Sequence, residues 1–107
     1  MRGDIYRLRA PRGGQGHEQQ GERYGVIVQS DDLVLSTVLV APTSTSARSA
    51  SFRPEIELGG QTTRVLVEQT AALDAEVRLA EWAGRLSADE LRAVDRALHD
   101  VLGLAGL

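Results

Sequence analysis

The chain contains no cysteine and no lysine. Without cysteine there is no disulfide, no thiolate nucleophile and no Cys-based zinc site. The same absence fits a reducing compartment. Histidine is scarce as well, with only His17 and His99. A metal site would need a mixed His/Asp/Glu set, and no cluster with ligand spacing occurs, so no metal and no cofactor is expected. Four aromatics are present, Tyr6, Tyr24, Phe52 and Trp82, scattered along the chain. A module that reads proline-rich ligands would instead line a groove with them. No apolar run approaches the roughly 18 residues of a membrane helix, so no membrane association is expected. Met1-Arg2-Gly3-Asp4 has no apolar stretch behind it and does not read as a signal peptide. The expected location is cytoplasmic.

What is present is an ordinary globular composition, 42% hydrophobic over 107 residues, which predicts one domain spanning 1–107. The net charge of −3 is unevenly spread. Residues 1–53 carry seven arginines against five acids, and residues 54–107 carry five against ten. The all-arginine usage fits genomic base composition. It equally fits phosphate recognition, because a guanidinium fork binds phosphate through two parallel hydrogen bonds.

Asp4 to Arg9 alternates polar and apolar residues, the pattern of a half-buried strand. Pro11 to Gly21 is a glycine-rich loop. Its Gly13-Gly14-x-Gly16 cluster is not a nucleotide fingerprint, since no helix and no Lys-Ser/Thr pair follows. Tyr24–Gln29 and Leu35–Ala41 are β-branched apolar runs that predict buried strands, the second closed by Pro42. Thr43 to Ser51 reads as a polar loop. Glu55–Leu58 predicts a strand turned by Gly59-Gly60, and Arg64–Gln69 a further one. Five closely spaced strands without helical period predict a small barrel. Leu73 to Trp82 is rich in Ala and Glu and predicts a short helix, interrupted at Gly84-Arg85-Leu86. Ser87 and Glu90 then form the capping pattern S-x-x-E, with Leu86 and Leu91 placed as a hydrophobic staple. Leu91, Val94, Leu98 and Val101/Leu102 continue as an amphipathic stripe, predicting a helix over 88–102 that stops at Gly103.

Two places suit chemistry. Arg23 stands where the glycine-rich loop becomes a strand, a position from which a fixed guanidinium holds a phosphate. Thr43-Ser44-Thr45-Ser46 places four hydroxyls behind Pro42, where they are donors for a phosphoryl oxygen. His17 lies in the loop, and His99 reads as a polar helix residue beside Asp100.

These pieces together resemble the MazF/PemK toxins of type II toxin–antitoxin systems. Arg2-Gly3-Asp4-Ile5-Tyr6 resembles the family's opening of Arg-Gly, an acid, an aliphatic and an aromatic. Gly16-His17-Glu18-Gln19-Gln20-Gly21-Glu22-Arg23 resembles its Gly-x-Glu-Gln loop ending in Arg. Tyr24 to Ser30, Val40 to Thr45, Val67 to Thr70 and Gly84 to Ser87 resemble its later strand and turn segments, in order. The resemblance covers residues 2 to 104. It implies a mainly β SH3-like small barrel with a C-terminal helix, a homodimer, and metal-independent endoribonuclease cleavage of single-stranded RNA. The family's catalytic arginine falls on Arg23. Its catalytic threonine falls on Ser44, where serine keeps the hydroxyl. His17, Glu18, Gln19, Thr43 and Thr45 are expected to contact RNA. A MazE-like cognate antitoxin, with an acidic tail, is the expected protein partner. A second departure is Tyr24-Gly25, where the family usually has Pro and an aliphatic residue.

Two rivals differ in class. A gyrase-poisoning toxin of the same fold, CcdB-like, carries its contact residues at the end of the C-terminal helix, typically Trp-Gly-Ile. This chain ends Gly103-Leu104-Ala105-Gly106-Leu107, with its one Trp at position 82. A non-catalytic SH3-like interaction module would show the aromatic groove that is missing here.

Overall fold

The computed structural model describes residues 1–11 and 23–104. In chain order the elements are β1 (Asp4–Leu8), β2 (Arg23–Ile27), β3 (Thr37–Ser44), β4 (Glu55–Leu58), β5 (Gln61–Val65), a 3-10 turn (Val67–Gln69), β6 (Ala71–Asp74), α1 (Ala75–Arg78), β7 (Leu79–Arg85) and α2 (Ala88–Leu102). The strands run β4-β5-β3-β2-β1-β7, with β6 added beside β3. All the pairings are antiparallel.

β3 is the strand that bends this sheet into a half-barrel. Its first half pairs with β6 through Thr37–Val40, and Val40–Pro42 pair with β2. Its last two residues, Thr43 and Ser44, pair with Val65 and Arg64 of β5. The crossover falls at Pro42, which has no N–H to offer a ladder. Its carbonyl instead accepts from the Leu66 N–H at 2.8 Å. Pro42 therefore does not close the strand, as the sequence predicts, but marks where β3 changes partners.

The apolar run of β2 is explained by burial on both faces. Val26 and Val28 join Ile5, Ala41, Ile56, Val65 and the helix residues Val94 and Ala97 in the main core. Ile27 points the other way, into a smaller cluster with Leu8 and Val40, covered by Leu73 and Leu79. Gly25 sits on that second face. A Cβ built there would lie 2.4 Å from Val40 Cγ1 and 3.0 Å from Leu8 Cδ1, so only glycine fits without movement. This accounts physically for the departure at position 25.

α2 forms as predicted. Ser87 Oγ accepts from the Glu90 N–H at 3.1 Å, and Glu90 Oε1 accepts from the Ser87 N–H at 2.9 Å. The other Glu90 oxygen accepts from the Glu57 N–H at 2.9 Å, which ties the helix start to β4. Gly103 closes the helix in the left-handed region, at φ 66°. The end of the apolar stripe is not covered, however: Val101 is 38% and Leu102 63% exposed.

Two expectations are corrected. Residues 64–69 are not one strand, because β5 ends at Val65 and the chain tightens into the 3-10 turn Val67–Gln69. The helix expected over Leu73–Trp82 is a single turn, capped by Asp74, whose side chain accepts from Glu76 N–H at 3.0 Å. The flanks become β6 and β7, so the described chain has seven strands, not five. β7 pairs with β1, from Asp4 opposite Arg85 to Leu8 opposite Leu79. This long-range ladder overrides the helical preference of Ala and Glu. Gly84, with φ 153°, sits where the register slips between Ile5 and Tyr6, and serves as a bulge within the strand.

Candidate active site

The folded chain redistributes the charge seen along the sequence. Arginines of the N-terminal half pair with acids of the C-terminal half: Arg2 with Asp95 at 2.7 Å, Arg7 with Glu81, and Arg53 with Glu68 at 2.6 Å. Arg85 pairs in the reverse sense with Asp4, at 2.8 Å. The sequence halves are thus interleaved in space and do not form a basic and an acidic lobe. None of the ion pairs among described residues involves Arg23, which is exposed at the first position of β2, opposite Leu8.

Arg23 borders a groove of about 830 Å³. Tyr24, Pro42, Thr43 and Ser44 line it from β2 and β3, Thr45 from just past the end of β3, and Gln61 and Gln69 from beyond the crossover. The crossover at Pro42 is what brings the hydroxyl run into the groove. Thr43 and Ser44 are carried on the strand past the proline, in register with β5, and not on a free loop.

The three hydroxyls differ in what they can offer. Thr43 Oγ1 donates to the Tyr24 carbonyl at 3.2 Å, so it stitches β3 to β2 next to Arg23. Ser44 Oγ accepts from the N–H of Ser46 at 3.2 Å and of Ala47 at 3.0 Å. A hydroxyl has two acceptor lone pairs and one proton. With both lone pairs engaged, Ser44 keeps its O–H to give; the other hydroxyl within reach, Ser46 Oγ, stands at 3.5 Å, the limit of a hydrogen bond. Ser44 is held as a donor and is unsuited to act as a base. Thr45 is exposed on the groove wall.

The far wall is fixed by charge. Arg53 donates Nε and Nη2 to the same oxygen of Glu68, at 2.8 and 2.6 Å. Burial pushes the Glu68 carboxyl up, but the Arg53 hydrogen bonds outweigh it and hold the group below its ordinary range. This pair pins the 3-10 turn that carries Gln69 into the groove. Neither Gln69 nor the short turn stands out in the sequence as functional. The signal that would have found Gln69 is its place in the Val67-to-Thr70 segment of the family pattern.

Arg23, Ser44, Thr43 and Thr45 are thus brought to one groove. His17, Glu18 and Gln19 lie outside the described residues. Among the described residues no group of three or more His, Asp or Glu side chains is gathered to hold a metal ion. No helix of the described residues is long and apolar enough to cross a membrane.

The family of PemK-like, MazF-like toxins of type II toxin–antitoxin systems matches residues 1–102. A Mycobacterium tuberculosis protein, itself named only as a candidate toxin, is 38% identical over 104 residues, covering 97% of this chain and 98% of its own. In structure the chain is similar to the M. tuberculosis toxin MazF-mt6, with a TM-score of 0.77 at 18% identity, covering 96% of this chain and 99% of the other. It is also similar to a mycobacterial endoribonuclease solved with its cognate antitoxin, at a TM-score of 0.76 and 19% identity, covering 100% and 98%. MazF from Deinococcus radiodurans gives a TM-score of 0.76 at 25% identity, covering 96% of each chain. At these low identities the structural likeness speaks for the fold.

Proposed function

Because the chain belongs to the PemK-like, MazF-like toxin family of type II toxin–antitoxin systems, we propose that it is a metal-independent endoribonuclease that cleaves single-stranded RNA at Arg23 and Ser44. The observation that carries this reading is a guanidinium that forms no ion pair among the described residues and a hydroxyl held as a donor, both on one open groove.

RNA brings its own nucleophile, the 2′-OH beside the scissile phosphate. The 2′ oxygen attacks phosphorus, the P–O5′ bond breaks, and the products end in a 2′,3′-cyclic phosphate and a 5′-OH. The 2′ proton must leave to a base, and the departing 5′ oxygen must gain one. Arg23 meets the charge that builds on the phosphoryl oxygens with its fork of N–H donors. Ser44 adds one O–H donor to the same oxygens. Preorganised donors of this kind are usually the largest single contribution to such a reaction. Either Arg23 itself serves as the acid or His17 or Glu18 assists the proton transfer; those two residues belong to the segment outside the described residues.

The reading includes a homodimer and a cognate antitoxin whose acidic tail competes with RNA for the groove. Leu33, Val34 and Leu35 stand 54%, 95% and 61% exposed on the single chain, the kind of surface that a second copy covers. A gyrase-poisoning role remains the alternative in class. The two separate on one experiment: wild-type protein and Arg23→Ala incubated with a long single-stranded RNA. Site-specific cutting by wild type, lost in the variant, is expected. An intact RNA with folded wild-type protein would reject the ribonuclease reading.

A further inference from the structure

A second, smaller hollow of about 170 Å³ adjoins the groove. Arg23, Pro42 and Gln69 line both, so they form the rim between them. The groove is walled by Tyr24, Leu58 and Ala83, which pack with the main core. The small hollow is walled by Leu8, Val40 and Leu73 of the second cluster, with Ala71 and Arg78. The hollows therefore belong to opposite faces of the sheet and meet at its end, where the Arg23 guanidinium stands.

We infer that the smaller hollow is a base subsite, taking one nucleobase next to the phosphate at Arg23 and reading it through Gln69 and Arg78. This rests on the ribonuclease reading and deepens it. A strand whose phosphate sits on the rim has one nucleoside on each side. The hollow is of the order of a single planar base, with apolar walls for its faces. Unstacked bases of single-stranded RNA are read in this way, by packing on their faces and hydrogen bonds on their edges. Gln69 is exposed and offers both a carbonyl and an amide, enough to discriminate donor from acceptor edges. Arg78 is held in place by its own Nε donating to the Arg9 carbonyl at 2.8 Å, while Arg9 reaches back to the Leu79 carbonyl. Arg78 makes no ion pair among the described residues, while Arg9 feels the Glu81 carboxylate, so the Arg78 guanidinium is the cation of this corner left to meet a polyanion.

The test is a cleavage profile on a pool of random-sequence RNA, reading the bases around each cut, for wild type, Gln69→Ala, Arg78→Met and Ala71→Phe. Ala71 is exposed on the hollow's wall, so the phenylalanine fills the space from a position that the core does not need. Thermal midpoints check that each variant is folded. Wild type should prefer particular bases at one position beside the cut. Gln69→Ala and Arg78→Met should flatten that preference at that position alone and slow cutting of the preferred sequence by about 10- to 100-fold. Ala71→Phe should exclude the larger bases there. A uniform slowing with an unchanged profile would overturn the subsite, as would unchanged cutting in all three. Variants that cut with the wild-type profile but lose affinity for an acidic antitoxin peptide would assign the hollow to that peptide and overturn it too. If wild type cuts no RNA, the ribonuclease reading falls first and the subsite with it. If wild type cuts and only the profile test fails, the ribonuclease reading stands.

Discussion

Gly25 lies against Val40 so closely that a Cβ at position 25 would stand 2.4 Å from Val40 Cγ1. The contact is made across the β2–β3 ladder, two residues from Arg23. Gly25→Ala must push β2 away from β3 or force Val40 off its rotamer, and overpacking of this kind costs about 1–3 kcal/mol. Thermal unfolding should show the midpoint several degrees lower. Cleavage measured well below that midpoint should fall as well, because Arg23 begins the displaced strand. Full activity in a destabilised Gly25→Ala protein would show that the site does not depend on this contact.

Ser44 separates donation from basicity. Ser44→Ala removes the donor, and loss of one such donor typically lowers kcat by about 100- to 1000-fold. It also leaves the Ser46 and Ala47 amides without their acceptor. Ser44→Thr keeps the hydroxyl and should restore most of the rate. Single-turnover rates of the three proteins decide it. A Ser44→Thr protein as slow as Ser44→Ala would contradict the role given to this hydroxyl.

Asp4 ties β1 to its neighbour β7 and to the chain's N-terminus. It is 6% exposed and pairs with Arg85 at 2.8 Å and with the terminal ammonium at 3.2 Å. Burial opposes its charge, yet a hydrogen bond from Trp82 and these two cations outweigh the burial and lower its pKa. A carboxylate depressed below the ordinary value of about 3.9 stabilises the fold fully above that value. The contribution is lost as pH falls through the lower folded value. Denaturant titrations between pH 7 and pH 2 should show stability dropping at the acid end. Asp4→Asn should be destabilised near neutrality by about 1–3 kcal/mol, with a shallower acid slope. An identical slope in the variant would show that Asp4 does not carry the acid sensitivity.

Ser87→Ala removes one half of the reciprocal cap on α2 and should cost about 1 kcal/mol, read as a lower midpoint with cleavage unchanged at moderate temperature. A larger loss of activity than of stability would mean that the helix start touches the site, which its position away from the groove argues against.

The difference between Ser87 and Trp82 shows what a sequence can reveal. The cap at Ser87 is complete within four residues, Ser87 to Glu90, so its meaning is local and is read directly. The strand through Trp82 exists because it pairs with Tyr6, far away along the chain, and no local pattern in an Ala- and Glu-rich stretch announces that. Pro42 misleads for the same reason. Alone it ends a strand; between Ala41 and Thr43 it is where one strand leaves β2 for β5. Arg23 and the Thr43–Thr45 run stand out through their flanks and the family resemblance. Gln69 and Arg78 do not, since the hollow they share appears only when β6 and α1 fold back beside β3.

If the RNA supplies the nucleophile and the protein supplies Arg23 and Ser44 to stabilise the charge, a single 2′ oxygen decides whether the strand is cut. The most direct test pairs two oligonucleotides that differ in a single 2′ position at a mapped cut, ribose in one and 2′-deoxyribose in the other, incubated with wild-type protein in EDTA. The all-ribose strand should be cut to a 2′,3′-cyclic phosphate and a 5′-OH, while the deoxy strand should bind with similar affinity and stay whole. Cutting of the deoxy strand at the same bond, or cutting of the ribose strand that stops when metal is removed, would contradict it.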